Sequence, residues 1–148
     1  TIEDIVEQCR KLDEAGIEYY LVYMTGLAGH NGGQRNAVNS ARLFNQINPY
    51  FISVDSLTLF SDTELYNRAQ AGTFIPAGEK ERIIELQTFI RNLQLRVHLF
   101  ANSISNYYPV TAYLPKEREQ VISELQNIMD TVDEKEMLQY RAGLKVLG

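Results

Sequence analysis

From Ile17 to Met24 the chain reads Ile-Glu-Tyr-Tyr-Leu-Val-Tyr-Met, a nearly continuous apolar run rich in aromatic and β-branched side chains with Glu18 as its only charge. Those residue types suit a strand. A strand without polar alternation is the kind covered on both faces, as in parallel sheets built from βαβ units. What surrounds the run fits the same architecture. Before it, Ile2, Ile5, Val6, Cys9 and Leu12 fall on one face of a helix, which Thr1 and Asp4 can cap and Gly16 can end. After it comes a glycine-rich loop, Thr25 to Gly33, and then a helix with Ala37, Val38, Ala41, Phe44 and Ile47 on one side.

The alternation continues. Asn48-Pro49 stops the second helix, because a residue before proline is pushed out of the helical region. Tyr50 to Phe60 reads as a second strand, Glu64 to Ala71 as a short helix closed by Gly72, and Glu79 to Leu93 as a long helix carrying Ile83, Leu86, Ile90 and Leu93. Leu95 to Ala101 alternates as a third strand and empties into a loop from Asn102 to Pro109. A helix opened by Pro115 is expected through Met129, with Val121, Ile122, Leu125 and Ile128 inward, and a last one from Asp133 to Arg141. The order predicts an α/β fold of parallel βαβ units in one unit spanning 1–148. Three strands are few for a free-standing doubly wound domain and suit part of a barrel.

Composition excludes several function classes. The net charge of -5 argues against nucleic acid as a partner, because phosphate binding needs a cationic face. No apolar stretch approaches the roughly 20 residues of a membrane helix. With one cysteine there is no intrachain disulfide and no multi-cysteine metal site. Cys9 reads as a small buried hydrophobe, and a reducing, cytoplasmic compartment fits. His30 and His98 stand at no metal-ligand spacing and read as structural. The opening residues look like the start of a helix and not like a natural N-terminus, which predicts a piece of a longer protein.

In parallel α/β folds, sites form on the loops at the C-terminal ends of the strands. Here those loops are Thr25–Gly33, Thr58–Thr63 and Asn102–Tyr108, whereas Gly16, Asn48-Pro49 and Gln94 make short, plain connections at the opposite ends. The asymmetry marks a face and no reaction. The glycine loop lacks the Lys-Ser/Thr of a P-loop and the spacing of G-x-G-x-x-G. Its glycines can either make a tight strand-to-helix turn or let the backbone approach a flat ligand. In Asn102-Ser103-Ile104-Ser105-Asn106 the polar side chains either cap a turn or hydrogen-bond a substrate. No Ser/His/Asp or Cys/His arrangement and no carboxylate pair stands out, so no catalytic residue is assigned.

Several short motifs carry a resemblance. Asp13-Glu14-Ala15-Gly16-Ile17 before the first strand, Thr25-Gly26-Leu27-Ala28-Gly29 after it, and Ile47-Asn48-Pro49-Tyr50-Phe51-Ile52 before the second are similar to the C-terminal half of radical-SAM iron–sulfur enzymes. The branch that they resemble is related to oxygen-independent coproporphyrinogen oxidases and other Fe–S oxidoreductases. Leu57-Thr58, Ser105-Asn106-Tyr107 and Leu114-Pro115-Lys116-Glu117 follow in that branch's order. Asp62-Thr63-Glu64-Leu65-Tyr66 stands where it has Gly-Thr-Pro-Leu-Tyr, so the glycine and proline are replaced.

The resemblance implies a partial (β/α)6 TIM-like barrel, with this chain supplying its last strands and extra C-terminal helices. Gly26, Leu27, Gly29, Leu57 and Thr58 would then border the adenine of S-adenosylmethionine. Asn102, Ser103, Ser105 and Asn106 would face a small-molecule substrate, although relatives of this branch often carry Asp-His where Asn102-Ser103 stand, which argues against an acid–base role there. The family's [4Fe–4S] cluster sits on a C-x-x-x-C-x-x-C loop that would lie upstream of Thr1, so this chain alone is expected to hold no cofactor and to be inactive. A barrel severed in this way leaves the edge of Ile17–Met24 bare, which predicts self-association. The alternative is a free-standing α/β module that binds a ligand or partner on its polar loop face without catalysis.

Overall fold

Thr1 starts the first helix as expected: its hydroxyl accepts the Asp4 N–H at 3.2 Å, closing the cap of α1 (Ile2–Glu14). Gly16, at φ +68°, takes the left-handed conformation that ends it. The structure, a computed structural model, describes residues 1–144. There follow β1 (Tyr20–Thr25), α2 (Gly33–Phe44), β2 (Phe51–Ser56), α3 (Glu64–Gln70), α4 (Glu79–Asn92), β3 (Val97–Ala101), β4 (Val110–Leu114), α5 (Arg118–Thr131) and α6 (Glu134–Leu144). The chain is therefore α/β, with an open four-stranded sheet in the order β1-β2-β3-β4.

β1, β2 and β3 pair in parallel, and β4 runs antiparallel to β3. The fourth strand corrects the all-parallel expectation. Val110–Leu114 lies between Pro109 and Pro115, where the sequence predicts no element, yet it alternates buried and exposed residues along β3. The helix expected from Pro115 consequently begins later, at Arg118.

One face of the sheet is core. The row Leu21, Ile52, Leu99, Ala112 crosses all four strands, and Ile52 and Leu99 are fully buried beneath the helices. Tyr23 stacks on Phe89 of α4 at 4.0 Å, while Phe44 of α2 meets both rings edge-on. Cys9 is buried in this core as a small apolar side chain.

The other face is open. Its rows are Tyr20, Phe51, His98, Tyr113 and Val22, Ser53, Phe100, Thr111. Tyr20 and Val22 are more than half exposed. Tyr20 lies flat on Phe51 at 4.7 Å, and Phe51 meets Phe100 edge-on at 5.5 Å. β1 is thus covered on one face and not on both. Continuous apolarity in its sequence reflects an aromatic surface layer as well as core.

Candidate functional site

The three strand-end loops converge on one rim, and each is tied to it by side chains. After β1, Gly29 N–H donates to Gly26 O at 3.1 Å and Gly32 N–H to Gly29 O at 3.2 Å, a double turn that places Gly26 at φ +84° and Gly29 at +72°. A Cβ on Gly26 would come within 3.1 Å of the Arg82 guanidinium, and one on Gly29 within 2.9 Å of the Ile75 carbonyl oxygen. The protein's own atoms fill these spaces, so the glycines serve the turn and its packing. Leu27 projects outward from it, half exposed.

The turn is anchored from below by Glu85 of α4, which is fully buried. Its carboxylate accepts the Gly26 N–H at 2.8 Å, the Tyr23 hydroxyl at 2.8 Å and the Asn36 amide at 3.0 Å. Three donors replace the water that a buried carboxylate loses. Burial, reinforced by the Glu85 charge, pushes the Tyr23 hydroxyl well above the usual tyrosine range.

A second buried network holds the end of β2. Arg141 of α6 grips Glu79 of α4 at two points and extends Nη1 to the Thr58 hydroxyl at 3.1 Å and the Leu57 carbonyl at 3.3 Å, while Nη2 reaches the Ser105 carbonyl at 3.1 Å. Arg82 donates to the same Leu57 carbonyl. Burial lowers the Arg82 pKa, and the Glu79 carboxylate opposes that shift. From α6 too, the Tyr140 hydroxyl donates to Ile104 O at 2.7 Å, and Glu134 accepts the Glu79 and Lys80 amides at the start of α4. The last helix is therefore a clasp across two of the three loops.

The loop after β3 is sewn to β2. Ser105 Oγ accepts the Ser56 N–H at 2.9 Å and lies 2.6 Å from Ser103 Oγ. The Asn106 amide donates to Val54 O at 2.8 Å, and its oxygen accepts from the Ser56 hydroxyl at 2.9 Å. Asn106 and Ser103 are spent on holding the loop, while Asn102 is exposed and makes no side-chain hydrogen bond among the described residues.

Between these loops lies a cleft of about 420 Å³, bounded by Met24, Asp55, Leu57, Phe60, Ile104 and Leu144, with Ser56, Thr58 and Ser105 adding hydroxyls. Its size and its mix of apolar walls with a few polar groups are those of a small-molecule site. Of the residues expected from sequence, Leu57, Thr58 and Ser105 meet here. Gly26, Leu27, Gly29, Asn102, Ser103 and Asn106 are not among its walls.

Sequence reading missed Met24, Asp55, Phe60, Ile104 and Leu144. A signal existed for Asp55, the only charge in β2, which sits opposite Met24 in the register. The charges Glu79, Arg82 and Glu85 recur every three residues on the buried side of α4, a stripe that already announces a paired interior network. His30, read as structural, has its Nδ1 3.0 Å from a Glu81 carboxylate oxygen.

Among the described residues no group of three His, Cys, Asp or Glu stands close enough to hold a metal ion, and no helix is long and apolar enough to cross a membrane. Compared with known proteins, the chain matches no family model, no curated protein and no solved structure.

Proposed function

We propose that this chain is the C-terminal part of a radical-SAM iron–sulfur enzyme of the coproporphyrinogen-oxidase-like branch, cytoplasmic and inactive alone, and that its rim cleft lines the adenosyl and substrate side of a partial (β/α)6 barrel. The observation that carries the reading is the placement of the cleft. It opens where the C-terminal ends of β1 and β2 and the loop after β3 meet, which is where parallel α/β enzymes bind. The bare aromatic face of the sheet also suits a wall that other strands would enclose.

The residues present fit the two implied groups unequally. Leu57 and Thr58 offer an apolar surface and a hydroxyl to a purine ring. Gly26 and Gly29 offer no cradle, since Arg82 and Ile75 occupy the space a Cβ would take. An iron–sulfur cluster does not fit this chain: Cys9 is its only thiol, and it is buried in the core on α1. No chemical step is therefore drawn through either group.

Two measurements test the reading. The residues encoded ahead of Thr1 should include three cysteines spaced C-x-x-x-C-x-x-C, and a start codon directly before Thr1 would sink it. Titrating the full chain with S-adenosylhomocysteine should shift the NMR signals of Leu57 and Thr58. Unmoved signals at millimolar ligand would remove the adenosyl role of the cleft.

A second reading, a free-standing ligand-binding module, is favoured by one observation. The cleft is walled by this chain's own residues, with Leu144 of α6 closing one side. In that case the cleft binds its ligand without the upstream barrel and no catalysis follows.

A further inference from the structure

We infer that Asp55 is the specificity-determining group of the rim cleft, and that it selects ligands bearing an ammonium or other strong N–H donor beside a flat apolar body. The inference rests on the reading of the cleft as a small-molecule site and goes on to name the chemistry of what enters it.

Three observations carry it. Among the described residues Asp55 is the only ionisable side chain in the cleft walls, which otherwise present Met24, Leu57, Phe60, Ile104, Leu144 and hydroxyls. Its carboxylate has no cationic partner within salt-bridge distance among the described residues. Among the described residues its one side-chain hydrogen bond comes from Ser105 Oγ, at 3.2 Å to Oδ1, with none on Oδ2. Arg141 touches the cleft wall at Thr58, but its charge is taken by the two-point pair with Glu79. Among the described residues the cleft is thus largely apolar and carries one negative charge without a salt-bridge partner.

The position of that charge follows from the fold. Along β2, Ile52 and Val54 point into the core, so Phe51, Ser53 and Asp55 point to the open face. Asp55 is the last of these before the rim, opposite Met24 on β1. The loop after β3 then brings Ser105 over it, holding one oxygen and orienting the other. A carboxylate set beside apolar walls offers a charge-assisted bond to a cationic donor and repels an anion.

The test uses three naphthalene probes of one shape: 1-naphthylmethylamine (cation), 1-naphthylmethanol (neutral) and 1-naphthylacetate (anion). Each is titrated into the full chain while the methyl signals of Leu57 and Ile104 report on the cleft and that of Val22 on the open sheet face. The amine should bind at the Leu57 and Ile104 signals about tenfold more tightly than the alcohol, with the acetate weakest. Asp55→Asn keeps an acceptor for Ser105 and should bring the amine down to the affinity of the alcohol. Undiminished binding of the alcohol shows that the variant's cleft is intact. Equal affinity of amine and alcohol in the native chain, or an amine preference that survives Asp55→Asn, overturns the role of Asp55 and leaves the cleft standing as a site. If none of the probes moves Leu57 or Ile104, both the cleft reading and the inference fall.

Discussion

Arg141 and Glu79 form a two-point ion pair, Nε to Oε1 at 2.5 Å and Nη2 to Oε2 at 2.8 Å, with both side chains buried. The pair joins α6 to α4, and the same guanidinium holds the loops after β2 and β3. Arg141→Ala would leave the Glu79 carboxylate with Arg82 at 3.8 Å in place of its two-point partner and would free the Thr58 and Ser105 acceptors, while the Leu57 carbonyl keeps its bond from Arg82. The expected loss is about 3–5 kcal/mol of unfolding free energy, read by urea titration. Arg141→Lys keeps the charge but cannot span every acceptor, and should fall between the two. A loss below about 1 kcal/mol for Arg141→Ala would mean that the clasp is not formed.

The glycines of the rim separate by what surrounds them. Gly72 and Gly29 share a positive φ, +73° and +72°, but a Cβ meets nothing within 4 Å at Gly72 and the Ile75 carbonyl at 2.9 Å at Gly29. Gly72→Ala should cost the backbone term alone, about 1 kcal/mol. Gly29→Ala should cost that and the clash. Gly26→Ala, at φ +84° against Arg82, should resemble Gly29→Ala. Melting temperatures of the three variants rank them, and equal losses would show that the turn relaxes around the added methyl.

How far the sequence reached can be seen residue by residue. The cap at Thr1, the stop at Gly16 and the three parallel strands were legible because each depends on residues close together in the chain. β4 was hidden: five residues between two prolines pair as a strand only because β3 lies beside them. The rim was legible through the contrast between polar and plain loops. Its chemistry was not, because Asp55 meets Ser105 and Glu79 meets Arg141 across 50 and 62 positions of sequence, and no local spacing encodes such a meeting. Glycine freedom was misleading in kind. At Gly26 and Gly29 it accommodates the protein's own side chains and backbone, a distinction that needs the positions of Arg82 and Ile75.

Glu81 makes the fold sensitive to acid. Partial burial opposes its ionisation, but the N–H groups of Gly78 and Asn31 and the His30 ring outweigh that and hold the carboxyl at about 2, below its ordinary 4.5. A group with a depressed folded pKa contributes stability above its unfolded value and loses it as pH falls toward the folded one. The stability gap between the native chain and Glu81→Gln should therefore be full at pH 7 and close between 4.5 and about 2. Urea titrations across that range check it. A gap that stays constant as pH falls would show that Glu81 acts only as a neutral acceptor.

The open side of the sheet predicts association. β1 is an edge strand, and no backbone hydrogen bond from Tyr20–Thr25 reaches outward away from β2 among the described residues. Natural edges are defended by charge, proline or a bulge. Tyr20–Thr25 carries no charge and no proline, and Glu18 lies outside the strand. The face beside this edge bears Tyr20, Val22 and Met24, then Phe51 and Phe100, an apolar layer of the kind that soluble monomers keep small. A second copy can satisfy both by pairing β1 with β1 about a two-fold axis, which continues the sheet and shortens the exposed row. The chain should therefore show a mass that rises with concentration in light scattering. Val22→Lys is the informative variant, because Val22 points away from the core whereas Leu21 packs against it. It should lower the association constant at least about tenfold with little change in unfolding free energy, since a Lys on an edge is both charged and solvated. A mass that stays monomeric at every concentration, in the native chain as in Val22→Lys, would show that this edge and face are covered in solution by the chain itself.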